Sequence, residues 1–297
     1  MIIMIKIKMY NRIVLTLVII LVIGSGFKSD PYQKLRVLSY NVWVGFQQDS
    51  LVLSRYINWV NRMDPDIVAY QEMNNFSQTD LEVLAEKYSH PYAIQSKEDG
   101  FPVALTSKFP IVNVQKVVDN MHHAYLYGVT NNIHVFVIHF SPHRYLKRQH
   151  EVEIILAHAA LLNEDDMIMI VGDFNALSAS DSVNYSKEFI EGIRKTDESI
   201  QHRQNLKNNK LDFSVIGRVE AAGFQDAFKL FNDGFKISKP TATRIAQRGP
   251  QIGGGERIDF AFVNPALAKH VVYADIIHDE DTDLISDHYP VYFEIRF

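Results

Sequence analysis

The chain has 297 residues, of which 47% are hydrophobic and 22% are charged. This composition is typical of a globular protein with a sizeable core, and it excludes disordered and collagen-like classes. The chain has no cysteine, which excludes disulfide scaffolds, zinc–thiolate sites, iron–sulfur clusters and cysteine nucleophiles.

The first 26 residues have the layout of an export signal. Lys6, Lys8 and Arg12 precede an apolar run over 13–23, and small residues follow at 24–26. The run is shorter than the roughly 20 apolar residues of a membrane span, which favours a cleaved signal peptide, with an N-terminal membrane anchor as the alternative. We therefore expect export of one domain, 27–297, to the periplasm, the medium, or the outer face of the cytoplasmic membrane.

The rest of the chain is acidic. Residues 27–297 carry 27 Lys and Arg against 35 Asp and Glu, a net charge of −8. Such a chain lacks a general electrostatic attraction for DNA or RNA.

Short apolar runs typical of strands alternate with helical patterns along the chain. Strands are predicted near Leu35–Val44, Ile67–Gln71, Val103–Thr106, Ile111–Val118, Tyr125–Thr130, Ile133–Phe140, Met167–Val171, Ile258–Val263, Val271–Ile277 and Val291–Phe297. Helices are predicted at Leu51–Met63, Asp80–Tyr88, Arg144–Leu162 and Val215–Ala222. The polar stretch Asp181–Asn209 is predicted as a helix with a surface loop.

The strand patterns indicate a layered fold. Met167–Val171 is apolar at consecutive positions, so both of its faces must be covered. Ile111–Val118, Tyr125–Thr130 and Ile133–Phe140 follow one another with no room for a crossover helix, which favours antiparallel neighbours. We therefore predict an α/β sandwich of mainly antiparallel sheets with flanking helices.

Polar side chains lie where the predicted strands begin or end: Asn41, Glu72, Asp173, Asp259, Asp287 and His288. Because the end of one antiparallel strand lies beside the start of its neighbour, these side chains can meet at one rim. Clustered carboxylates repel one another by about 4 kcal/mol per pair at ~4 Å and an effective dielectric near 20, so they need a cation or a shared proton. Oxygen ligands without thiolate suit Mg²⁺ or Mn²⁺. The alternative is that each acidic residue is a separate cap or surface ion pair.

Six short motifs together resemble the endonuclease/exonuclease/phosphatase superfamily, and they occur in the order typical of that family. They are Tyr40-Asn41-Val42-Trp43, Gln71-Glu72, His139-Phe140-Ser141-Pro142, Gly172-Asp173-Phe174-Asn175-Ala176, Arg257-Ile258-Asp259-Phe260 and Ser286-Asp287-His288-Tyr289-Pro290. The resemblance spans Leu35 to Phe297. It implies a four-layer α/β/β/α sandwich and divalent-metal-dependent hydrolysis of a phosphate ester.

The resemblance also implies roles for individual residues. Glu72 would be the principal metal ligand, helped by Asn41 and Asp287. Asp173 would orient or activate the attacking water, and Asp259 would fix the ring of His288 for proton transfer or phosphate binding. Asn175 and His139 would hold nonbridging phosphate oxygens, which gives His139 a place in both the catalytic and the substrate-binding sets.

Other candidates have weaker signals. His122, His123 and His143 lack the ligand spacing of a zinc site. The glycines at 253–255 lack the Lys-Ser/Thr of a phosphate loop and favour a hairpin. Arg257 precedes Asp259 by two residues, so we expect it on the same strand face, in contact with the substrate.

The leading hypothesis is an exported, Mg²⁺- or Mn²⁺-dependent phosphodiesterase in which water attacks phosphorus. The alternatives are a secreted endonuclease, a phosphomonoesterase or lipid phosphatase on the same scaffold, and a degenerate module that only binds a phosphate ligand. The substrate would be a small diester, a lipid head group or a nucleic acid. We expect a monomer, with peripheral or N-terminally anchored membrane association as a further possibility.

Overall fold

The computed structural model describes residues 34–248 and 254–297, so the predicted export signal lies outside the described residues. The strands are β1 Lys34–Asn41, β2 Ile67–Gln71, β3 Tyr92–Gln95, β4 Val103–Ser107, β5 Ile111–Val117, β6 Ala124–Thr130, β7 Ile133–His139, β8 Met167–Asp173, β9 Leu206–Lys207, β10 Lys210–Leu211, β11 Gln225–Asp226, β12 Asp259–Val263, β13 Val271–Ile276 and β14 Val291–Arg296. The helices are α1 Trp43–Phe46, α2 Ser50–Met63, α3 Gln78–Glu86, α4 Tyr145–Ala159, α5 Lys187–Ser199, α6 Ser214–Ala221, α7 Ala242–Arg248, α8 Pro265–Ala268 and α9 Thr282–Ile285, with a 3₁₀ turn at Ala179–Asn184.

Most strands of the described chain form two six-stranded sheets. Their orders are β13-β14-β1-β2-β4-β3 and β11-β12-β8-β7-β6-β5. The pairs β1/β2 and β7/β8 are parallel, and each is joined by a crossover helix, α2 or α4, as a parallel pair requires. The other neighbours in both sheets are antiparallel.

Apolar side chains hold the layers together in the order helix, sheet, sheet, helix. The cluster between the sheets includes Val37 and Val135, one from each sheet. On the outer faces, Trp59 of α2 packs in a second cluster and Ile155 of α4 in a third. Burial of each such side chain contributes about 1.5–3 kcal/mol. The predicted sandwich of mainly antiparallel sheets is confirmed.

The first strand is shorter than predicted. It ends at Asn41, and residues 43–48, which include the short segment α1, adopt left-handed backbone angles with φ between +47° and +61°. Gly45 has no alternative in this turn, because a Cβ atom there would lie 2.1 Å from the carbonyl oxygen of Asn74. The turn folds the backbone back over the end of β2, where Glu72 begins the next loop.

The segment Asp181–Asn209, predicted as a helix with a loop, contains α5 and the short strand β9. The predicted glycine hairpin at 253–255 lies partly outside the described residues, and Glu256, which follows it, forms an antiparallel bridge with Lys239. In the ranges 34–248 and 254–297, no helix has the length and hydropathy needed to cross a membrane.

Candidate active site

The ends of both sheets meet at one edge of the sandwich. Residue 41 pairs with residue 71 in the first sheet, while Asp173 pairs with both His139 and Asp259 in the second. Asn41 joins the two sheets, because its Nδ2 donates to Glu72 Oε1 at 3.2 Å and to Asp173 Oδ2 at 3.1 Å. The structure therefore brings together the polar strand ends that the sequence placed on one rim.

The left-handed turn fixes Glu72. The backbone N–H of Val44 donates to Glu72 Oε2 at 2.9 Å, and that of Gly45 donates to the Glu72 carbonyl oxygen at 2.7 Å. Glu72 itself has φ +62°, a conformation that costs an ordinary side chain about 1–2 kcal/mol. The carboxylate is half-buried in the wall of a pocket.

The residue before Asp173 must be a glycine, Gly172, because the backbone there leaves no room for a side chain. Its φ is +140°, and a Cβ atom there would lie 2.0 Å from the carbonyl oxygen of Ile138. Asp173 is buried, its Oδ1 accepts the Asn175 N–H at 2.8 Å, and its Oδ2 lies 3.5 Å from His139 Nε2. Burial, and then the nearby charge of Asp259, raise the pKa of Asp173 well above its ordinary value. Such a carboxylate can accept a proton near neutral pH.

His288 and Asp259 form a buried pair behind Asp173. The ring Nδ1 of His288 donates to Asp259 Oδ2 at 2.8 Å. Burial lowers the pKa of His288, but the Asp259 charge outweighs it and raises the pKa to about 9. The buried Nε2 has no hydrogen-bond partner among the described residues, and it lies 3.9 Å from both Asp173 Oδ2 and Asp287 Oδ1. The ring therefore directs a proton toward the carboxylates of the site.

A pocket of about 300 Å³ lies beside Asp173. Its inner wall contains Glu72, His139, Asp173, Asn175 and Lys239. Burial, and then the neighbouring rings of His123 and His288, lower the pKa of His139 well below its usual value, which keeps the ring neutral. The Asn175 amide is oriented by its Nδ2, which donates to the Phe140 carbonyl oxygen at 3.1 Å.

Lys239 is a pocket residue that the sequence analysis missed. Its Nζ lies 3.8 Å from Asp287 Oδ2, and its backbone exchanges two hydrogen bonds with Glu256, at 3.0 and 2.7 Å. Burial opposes its charge, but Asp287 and Asp173 raise the pKa of Lys239 above its ordinary value. The sequence around Lys239 does not indicate a pocket residue, because the lysine is positioned by the bridge to Glu256, a residue distant in sequence.

Arg257 does not reach the pocket where the sequence pattern places it. The guanidinium is fully buried, and it donates to Asp181 Oδ2 at 2.6 Å and to Asp226 Oδ2 at 2.5 Å. The expected strand alternation does not apply because β12 begins at Asp259. Arg257 thus ties the loops behind the site together.

Arg257→Met should destabilise the fold by about 3–5 kcal/mol, because it leaves buried Asp226 without its cation. Urea unfolding of the chain measures this loss. The matched control is Arg62→Met, which removes an exposed pair with Asp281 and should cost less than about 1 kcal/mol. Equal losses in the two variants would contradict the structural role of Arg257.

The donor set of the site fits a hard divalent cation. Glu72 and Asp173 line one pocket, and Asp287 lies 3.8 Å from Lys239 of the same pocket. Such carboxylate oxygens suit Mg²⁺ or Mn²⁺. Ligand atoms of Asp173, Asp259 and His288 also lie within 4.8 Å of one another. A protonated His288 that donates to Asp259 has no free lone pair, so this trio is better suited to proton transfer.

Asn41, expected as a metal ligand, makes hydrogen bonds to the neighbouring side chains and backbone. Its Oδ1 accepts the Trp43 N–H at 3.1 Å, and its Nδ2 faces the two carboxylates. In this structure Asn41 is therefore a hydrogen-bond donor that bridges Glu72 and Asp173.

Comparisons with known proteins agree with this geometry. Residues 38–288 match the model of the Endonuclease/Exonuclease/phosphatase family. No curated protein sequence matches the chain.

Solved structures share the fold at low identity. An AP endonuclease from Archaeoglobus fulgidus is similar with a TM-score of 0.64 and 17% identity, over 87% of this chain and 98% of that one. The 3′ phosphatase NExo from Neisseria, bound to a product DNA hairpin, has a TM-score of 0.65 and 16% identity, over 89% and 100%. The 3′-5′ exonuclease NExo from Neisseria meningitidis has a TM-score of 0.63 and 17% identity, over 88% and 99%.

The family model covers most of the chain, and the matched region contains both the carboxylate pocket and the His288–Asp259 pair. The chain therefore belongs to the Endonuclease/Exonuclease/phosphatase family and is a hydrolase of phosphate esters.

Proposed function

We propose that the protein is a Mg²⁺- or Mn²⁺-dependent phosphodiesterase in which water attacks phosphorus. The observation that carries this proposal is the position of Asp173, which lines the pocket and whose Oδ2 lies 3.5 Å from His139 Nε2 and 3.9 Å from His288 Nε2. A carboxylate with a raised pKa is thereby placed beside two nitrogen donors.

Each residue has a definite task in this proposal. Asp173 accepts a proton from the attacking water at Oδ2, which lies beside the two histidine rings and accepts one hydrogen bond, from Asn41 Nδ2. The side chains of Asn175 and His139 donate to nonbridging phosphate oxygens as negative charge develops on them. His288 supplies a proton from Nε2, and Asp259 keeps its ring in place.

Glu72 and Asp287 are the residues that would hold the cation. When bound, it would supply positive charge for the phosphoryl oxygens and would lower the pKa of water. Lys239 adds a permanent positive charge on the same side, 3.8 Å from Asp287.

The charge of the site favours a diester over a monoester. A diester carries one negative charge and a monoester up to two, so the carboxylates of Glu72, Asp173 and Asp287 repel the monoester more strongly. The net charge of −8 over residues 27–297 similarly disfavours long duplex DNA, whose binding depends on the neutralisation of many phosphates.

We also propose that the protein is exported. The support is the sequence of residues 1–26, with its basic start and short apolar run. Recovery of the protein from the cytoplasmic fraction of its own cells would refute this proposal.

A substrate screen tests the proposed activity. We expect turnover of small phosphodiesters with Mg²⁺ or Mn²⁺, and slower turnover of the matching monoesters and of duplex DNA at about 0.15 M salt. Asp173→Asn should be inactive on all of them and serves as the control for contaminating enzymes. Faster cleavage of duplex DNA than of small diesters would favour an endonuclease, and faster monoester turnover would favour a phosphatase.

A further inference from the structure

The outer wall of the pocket contains donors that the proposed reaction does not use. We name it the histidine wall, and it consists of Lys97, Phe101, His122, His123 and His143. The His123 ring stacks on His139 at 4.1 Å between centroids, and the His122 ring contacts those of His123 and His143 at 4.4 and 5.0 Å. The histidine wall thus continues outward from the catalytic pocket.

A buried glutamate holds this wall in position. Glu151 of α4 is fully buried, and its two carboxylate oxygens accept the backbone N–H groups of His122 at 2.5 Å and Ser141 at 2.8 Å. Ser141 Oγ in turn accepts the His143 N–H at 3.3 Å. The two loops that carry the histidines are therefore fixed to one helix.

The donors of the histidine wall have no hydrogen-bond partners among the residues that the structure describes. In the described ranges, no hydrogen bond or ion pair uses the Lys97 ammonium or a ring nitrogen of His122, His123 or His143. His143 Nδ1 is buried as well as unpaired. Because buried polar groups in proteins are normally hydrogen-bonded, a row of unpaired donors in one pocket indicates a ligand.

The charges around the histidine wall favour an anion. Burial, and then the neighbouring His122 ring, lower the pKa of His123 to about 3 and that of His143 to about 4, so both rings are neutral at neutral pH. The cationic side chains nearby are Lys97, Lys147, Arg148 and Arg203. Among the carboxylates, Glu151 is already occupied by backbone N–H groups, and Glu72 and Asp173 of the same pocket belong to the catalytic site. An anion would be attracted by these lysines and arginines and could accept N–H donors from the neutral imidazoles.

The same nitrogens do not fit a metal ion. Among the described residues, ligand atoms of three candidate residues converge within 4.8 Å at Asp173, Asp259 and His288, and not in the histidine wall. A cation would also be repelled by Lys97.

We propose that the histidine wall binds a second phosphate group of the substrate, beside the phosphate that is hydrolysed. This inference rests on the proposed function, and it narrows the substrate to a phosphodiester that carries another phosphate. Lys97 supplies the charge and the imidazoles supply N–H donors.

Calorimetric titration of the full chain with inorganic phosphate, in the presence of Mg²⁺, tests the site directly. We expect two phosphate ions per wild-type chain, one at the carboxylate pocket and one at the histidine wall. Lys97→Met and the double variant His122→Asn/His143→Asn should each raise the Kd of one of the two phosphate ions by roughly tenfold or more. That is the usual effect of lost hydrogen bonds to a charged group. His150→Asn replaces an exposed histidine of α4 and should leave the affinities for both phosphate ions unchanged.

A pair of substrates tests the same site in turnover. The p-nitrophenyl ester of thymidine 5′-phosphate should be hydrolysed with a higher KM than the same ester that also carries a 3′-phosphate. The histidine-wall variants should raise the KM of the doubly phosphorylated ester and leave the other ester unchanged.

Phosphate binding that is equal in the wild type and in both variants would overturn the inference. So would stoichiometric Zn²⁺ binding that requires His122 and His143, because it would assign the wall to a cation. The wild type could hydrolyse neither ester and still bind two phosphate ions, one of which is lost in the variants. That result would refute the proposed function and support the second phosphate site.

Discussion

Removal of divalent cations by a chelator should lower phosphodiester hydrolysis by at least about 10³-fold, and added Mg²⁺ or Mn²⁺ should restore it. The reason is that clustered carboxylates without a cation repel both one another and the substrate phosphate, while a bound cation contributes several kcal/mol of charge stabilisation. Glu72 should dominate this effect, because two backbone N–H groups of the left-handed turn hold the residue at the pocket.

Glu72→Gln preserves the shape of the side chain and removes its charge. We expect the Mg²⁺ concentration needed for half-maximal activity to rise roughly tenfold to hundredfold. The matched control is Glu86→Gln, an exposed glutamate of α3, which should leave the Mg²⁺ requirement unchanged. Full activity of Glu72→Gln in excess chelator would show that the site does not depend on a metal.

The long buried strands could be predicted because their patterns are local. Consecutive apolar residues at 167–171 require cover on both faces, and the structure buries β8 between β7 and β12. The edge strand β3 was missed, since it has four residues, one exposed and one half-buried, and so lacks a clear pattern.

The convergence of Asn41, Glu72 and Asp173 could be anticipated because each side chain lies at a strand end. The parts of the site that depend on nonlocal contacts could not. Lys239 is positioned by a bridge to Glu256, and Arg257 is withdrawn by Asp181 and Asp226, which are distant in sequence. The left-handed turn after Asn41 was also missed, because Val42-Trp43-Val44 has the composition of a strand.

The His288–Asp259 pair yields the other large expected effect. His288→Ala should lower kcat by about 10² to 10⁴, the usual contribution of a positioned general acid or base. Asp259→Ala should lower kcat by a somewhat smaller factor, because the imidazole stays in place but loses the 2.8 Å hydrogen bond that orients it. The double variant should lose little more than His288→Ala alone, since residues that act as a unit are strongly non-additive.

Steady-state kinetics on one small diester with saturating Mg²⁺ decides whether His288 and Asp259 act as a unit. The four proteins to compare are the wild type, the two single variants and the double variant. His150→Asn again supplies the histidine control, and thermal unfolding checks that each variant is folded. If the free-energy losses of the two single variants add in the double variant, the two residues act independently. Asp259 would then affect Asp173, its neighbour across β8 and β12, because its charge raises the pKa of that carboxyl.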